Sequence, residues 1–179
     1  MPYLPPMPGW NGLHPLLIHF PIALLMVAPV FILLGAFLSP QKGRPFLITA
    51  FLLMLLGTAS VFVATSTGEA AKKAATMTPQ IKAVLHDHEE LSESTETSFA
   101  LLTVAFGAFL FVPGFIHREL SRKLSNALLV AFFLAYGAGA VLMANAAHQG
   151  GILVHQLGVH APATQGSVAL PLATEKEGR

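Results

Sequence analysis

Four long apolar runs divide the chain, at about 15–38, 45–68, 98–115 and 126–147, and none contains Asp, Glu, Lys or Arg. A membrane-spanning helix needs about 20 predominantly apolar residues, and each run approaches or exceeds that length. Backbone polar groups in lipid must pair internally, and the alternating pattern of a barrel strand is absent. The pattern therefore predicts an all-α fold, an integral membrane four-helix up-and-down bundle.

Polar positions refine this picture. Thr78 is a good N-cap and Pro79 suits the first position of a helix. From there Val84, His88, Leu91, Thr95, Ser98, Leu102, Ala105 and Phe109 recur at spacings of four and three. That is the inward stripe of one continuous helix beginning outside the membrane. Asp87, Glu89, Glu90 and Glu93 fall off the stripe and read as a solvated face. In the fourth run Ala127, Ala131, Ala135 and Gly139 lie four apart. Such stripes let helices approach closely in lipid, or leave room for a flat cofactor. Gly150-Gly151 reads as the end of that helix. The expected organisation is a four-helix transmembrane domain over 1–160, with helices at about 15–38, 45–68, 79–115 and 126–148, and a flexible C-terminal tail over 161–179.

Composition supports the membrane reading. Only 11% of the residues are charged and 54% are hydrophobic, where a soluble domain carries roughly 25% charged. Too few polar residues remain to cover four such helices in water. The absence of cysteine removes disulfides, thiolate metal sites, iron–sulfur clusters and covalent c-type haem attachment. A net charge of +1 gives no reason to expect nucleic acid as a partner. The first twelve residues hold no Lys or Arg, so a cleaved signal peptide is not expected.

The loops set an orientation. The first and third connections carry Lys42, Arg44, Arg118, Arg122 and Lys123 with one acid, Glu119; the other side carries five basic residues against eight acids. Positive residues stay cytoplasmic, so both termini and the long second connection are expected on the outer, periplasmic side. This implies a multi-pass protein of a bacterial inner membrane.

Seven of the eight histidines then fall on the outer side: His14, His19, His86, His88, His148, His155 and His160, with His117 opposite. His14 opens the first helix, and His19 lies among Leu17, Ile18 and Phe20, where a polar ring needs a partner. His88 is on the inward stripe of the third helix, and His148 closes the fourth. The remaining four read as solvated or packing residues. Along the helix axis, His88 lies nearer the expected height of His14 than that of His19, and the sequence leaves the pairing open. Histidines facing one another in a bundle are a recurrent way to build a cofactor site. Neutral imidazole binds haem iron, Zn and Cu, and an apolar surround of Phe, Leu and small residues suits a porphyrin better than a bare ion.

The string Leu13-His-Pro-Leu-Leu-Ile-His-Phe-Pro-Ile-Ala-Leu resembles the opening motif of a bacterial four-helix membrane family of unknown function. The similarity continues through Thr67-Gly68-Glu69-Ala70, His88-Glu89-Glu90 and Ala147-His148-Gln149-Gly150-Gly151. Members are sometimes fused to c-type cytochrome modules, which implies haem. The resemblance marks the same four histidines, His14, His19, His88 and His148. It departs at His155, where an aromatic residue is usual, and at Leu157, where a histidine is common.

The expected function is a membrane b-type cytochrome subunit, with one or two b haems on histidine pairs near the periplasmic face. It would pass electrons between a periplasmic redox partner, such as a c-type cytochrome, and quinone or a terminal enzyme. Its partners are the lipid bilayer and other subunits of a membrane redox complex. The alternative is a non-haem assembly or binding subunit whose histidines and carboxylates hold Zn or Cu. A stand-alone enzyme is disfavoured, since no nucleophile–base constellation or phosphate-binding glycine loop is found.

Overall fold

The computed structural model describes residues 7–117 and 120–160, and all its long elements are helices. The tail expected over 161–179 lies outside the described residues. A short 3-10 turn, Trp10–Gly12, leads into α1 (His14–Leu17) and α2 (His19–Phe37), followed by α3 (Pro40–Ala74), α4 (Pro79–Phe115) and α5 (Arg122–His155). Together α1 and α2 form one apolar span of 24 residues, interrupted at Ile18. Pro21 accounts for the interruption, because it has no N–H to offer the carbonyl of Leu17 four residues earlier. With α3, α4 and α5 this makes four helices long and apolar enough to cross a bilayer.

The helices pair as two antiparallel hairpins. One is α1 and α2 with α3, the other is α4 with α5, and they meet mainly through α3 and α4. The first hairpin closes tightly because Gly35 and Gly43 face each other, and a Cβ on either would meet the other's backbone carbonyl. The α4 start is capped as the sequence predicts, with Thr78 Oγ1 accepting from the Ile81 N–H at 3.2 Å.

Leu25, Ile32, Met54, Phe99, Phe106 and Tyr136 form the core, contributed by α2, α3, α4 and α5. Outward positions such as Phe37, Leu101, Val104, Phe115 and Leu134 are apolar and exposed, as a lipid-facing surface requires. The α4 stripe differs from the expected one in its second half. Its fully buried residues are Thr95, Phe99, Leu102, Thr103 and Phe106, while Ala105 is exposed. A straight helix drifts away from a strict four–three alternation, and the large rings of Phe99 and Phe106 take the inward positions.

The small-residue stripe of α5 also behaves differently. Only Gly139 packs closely, against Phe99 and Leu102. Ala127, Ala131 and Ala135 are exposed. The last two line an apolar groove of about 670 Å³ between α4 and α5, walled by Phe106, Phe109 and Phe132. Nor does α5 stop at His148. It passes through Gly150-Gly151 and ends at His155. Two glycines cost a helix about 2 kcal/mol relative to alanine, an amount that packing along the rest of a long helix outweighs.

Two polar contacts inside the bundle follow from the bilayer's lack of hydrogen-bonding solvent. Thr58 on α3 and Thr103 on α4 share a hydrogen bond of 2.8 Å between buried hydroxyls. Pro29, inside α2, deprives the Leu25 carbonyl of its usual donor. The buried hydroxyl of Tyr136 on α5 donates to that same carbonyl. The proline of one hairpin is thus completed by the other.

Tyr136→Phe is therefore expected to lower stability by about 1–3 kcal/mol, the cost of a buried acceptor left alone, read from thermal unfolding in detergent. Pro29→Ala returns an N–H to Leu25, so Tyr136→Phe in that background should cost markedly less. Equal costs in both backgrounds would show that the carbonyl is not the cause.

Candidate functional site

At the end of the bundle where the first helix begins, all five α-helices line an open cavity of about 460 Å³. Ligand pockets commonly fall between about 300 and 1,000 Å³. Its walls are largely apolar, including Ile18, Val61, Leu85, Met143 and Leu153, and five histidines line it, of which His14 and His88 come from opposite hairpins.

His14 is half-buried, and its Nδ1 lies 2.8 Å from the Ala64 carbonyl of α3. The same carbonyl accepts from Thr67 Oγ1 at 2.8 Å. His88, also half-buried, has Nδ1 at 2.8 Å from the Ala146 carbonyl of α5. A carbonyl can only accept, so each ring carries a proton on Nδ1, and the neutral form of the ring has its lone pair on Nε2.

Each ring also rests against a glycine one turn beyond its carbonyl. A Cβ on Gly68 would come within 3.1 Å of His14 Cε1, and one on Gly150 within 3.2 Å of His88 Cε1. The two seats have the same construction, Ala64 with Gly68 on α3 and Ala146 with Gly150 on α5. An Ala-x-x-x-Gly step in the second helix of each hairpin receives a histidine from the first. The imidazole centroids stand 6.5 Å apart with planes at 83°.

The structure thus brings His14 and His88 together. His19 lines the same cavity, but the residue is exposed. His148 is exposed and absent from the cavity wall. Because α5 continues as a helix through Gly150, residues 146 and 150 share the face toward α4, and position 148 is turned about 200° from 146. His155 and His160, read from sequence as solvated or packing residues, both line the cavity. Gly158 takes a left-handed φ of 67° and reverses the chain, so that the Val159 N–H donates to the Leu153 carbonyl and His160 follows over the cavity. The seats themselves escaped the sequence reading. Their signal was the repeated Ala-x-x-x-Gly step, whose glycines, Gly68 and Gly150, fall within strings that the resemblance already marked.

Charge collects at the rim. Lys72 of α3 bonds to Glu89 of α4 at 2.7 Å, and Glu69 and Glu93 stand nearby on the cavity wall. Both partners are partly exposed, so the pair links the hairpins with little stabilisation of its own.

Fold and site together define a polytopic helical membrane protein with two inward histidines at one end of its bundle. A model of the family described as predicted membrane protein (DUF2231) matches residues 11–163, and the chain belongs to that family. No curated protein and no solved structure matches it.

The seats predict a tautomer. In protein labelled with ¹⁵N-histidine, His14 and His88 are expected as Nδ1–H imidazoles at neutral pH, the minority form for a free ring. A shift pattern of Nε2–H rings at these residues would contradict the carbonyl anchoring.

Proposed function

We propose that this protein is a membrane b-type cytochrome subunit that holds one haem between His14 and His88. The observation that carries this reading is the pair of carbonyl-anchored imidazoles, each with a free Nε2, facing one apolar cavity from opposite hairpins. Two imidazoles on opposite sides of one metal ion, with metal–nitrogen distances of about 2.0 Å and about 1.1 Å from nitrogen to ring centre, have centroids about 6.2 Å apart. The observed separation of 6.5 Å is close to that length. The glycines opposite both rings supply space that a Cβ would fill.

The chain's own groups have defined tasks in this reading. The Ala64 and Ala146 carbonyls orient the rings and raise the basicity of Nε2, as second partners of metal-bound histidines do. Val61, Met143 and Leu153 keep water from the ligand. The rim carboxylates Glu69, Glu89 and Glu93, with Lys72, form a charged lip for a soluble partner. Haem, when bound, supplies one-electron redox chemistry. The electrons would pass between a periplasmic partner, such as a c-type cytochrome, and quinone or a terminal enzyme.

The alternative, a Zn or Cu site completed by carboxylates, has less support. Among the described residues no three His, Asp or Glu side chains gather closely enough to hold an ion, and Glu89 is engaged by Lys72.

The decisive test is a reduced-minus-oxidised absorption spectrum of detergent-purified protein expressed with ample haem. A sharp low-spin b-type band is expected, lost in His14→Ala and in His88→Ala but retained in His148→Ala. A colourless protein would refute the proposal, and metal analysis of that sample would take up the Zn or Cu alternative.

Orientation is part of the proposal. With the basic connections cytoplasmic, the histidine end faces the periplasm of a bacterial inner membrane. The chain has no cysteine, so single cysteines report cleanly. In intact cells permeable only at the outer membrane, a membrane-impermeant maleimide should label Glu93→Cys and spare Lys42→Cys. The reverse pattern would invert the topology.

A further inference from the structure

Resting on the haem reading, we propose that Gly68 and Gly150 are positioning residues that hold the His14 and His88 imidazoles crossed, near right angles, about a shared iron. The rings lie at 83° to one another. Each has two restraints that act on its plane. The Nδ1–H bond to a helix carbonyl fixes the direction of one edge, and the glycine beneath Cε1 fixes how closely the ring lies on the helix. The two carbonyls belong to different helices, α3 and α5, so the angle between the rings is set by how the hairpins meet. Neither ring can turn far without losing its bond or leaving its seat.

Crossed axial imidazoles have a specific electronic consequence. Each ring π-donates into the iron d orbital perpendicular to its own plane. Parallel rings raise one of the two relevant orbitals and split the pair. Crossed rings raise both alike and leave the pair nearly degenerate. In the ferric low-spin state, near-degeneracy gives a strongly axial EPR spectrum dominated by one low-field line, whereas parallel rings give three well-resolved rhombic lines.

The experiment is low-temperature EPR of the ferric full-length protein in detergent, with Gly68→Ala, Gly150→Ala and Gly137→Ala beside it. Gly137 has open space where a Cβ would sit, so its variant serves as the control. The unsubstituted protein and the control are expected to show the single low-field line. Gly68→Ala and Gly150→Ala, whose new methyls would press at 3.1 and 3.2 Å on the rings, should keep haem but move that line toward the rhombic position. A rhombic spectrum from the unsubstituted protein overturns the crossed arrangement. A spectrum unmoved in both haem-loaded alanine variants overturns the positioning role. Should either variant misfold, the unsubstituted spectrum still decides the angle. Absence of haem from the unsubstituted protein fails the cytochrome reading itself, and is distinct from either EPR result.

Discussion

Inside a bilayer a polar group must be partnered from within the protein, because no water is available to pair with it. The interior contacts of this bundle follow from that constraint. Pro29 strands the Leu25 carbonyl, and Tyr136 reaches across from α5 to satisfy it. Thr58 and Thr103 satisfy each other between α3 and α4. The imidazoles of His14 and His88 each find a helix carbonyl on the second helix of their own hairpin. In every case the polar atom is held by a neighbouring helix, so the same contacts that solve the solvation problem also fix how the helices lie.

The histidine end shows what this can build. An imidazole has two nitrogens, and anchoring one by its proton commits the other to accepting. The two hairpins use one device twice, an Ala-x-x-x-Gly step whose carbonyl receives Nδ1 and whose glycine receives the ring. Each hairpin thereby contributes half of a two-sided site. The hairpins meet mainly along α3 and α4, and a ligand bound by both imidazoles would tie them at the cavity as well. Under the haem proposal, metal binding and bundle stability would be coupled.

Helix–helix contact in lipid gains nothing from expelling water, so it depends on close fit. Gly35 against Gly43 closes the first hairpin, and Gly139 admits Phe99 and Leu102 in the second. Beyond Gly139 the alanines of α5 face a groove instead. Small residues four apart permit close approach without enforcing it; the bulk of the facing side chains, here Phe106, Phe109 and Phe132, decides the spacing.

The amino-acid sequence by itself determined the number of helices, their membrane nature and the capped start of α4 at Thr78. Hydrophobic length and the need for paired backbone groups are properties of each segment alone. It also marked four histidines, His14, His19, His88 and His148, with His19 and His88 foremost, and left their pairing open. Only the tertiary structure decided which side chains share a cavity. The continuation of α5 through Gly150-Gly151 turned His148 outward and carried His155 to the cavity wall, and the reversal at Gly158 brought His160 there too. A glycine's local preference is to end a helix, and nothing within its own segment reveals that a histidine from another helix will rest on it. That depends on the rotation of α5 against α4, which a chain read one segment at a time does not contain.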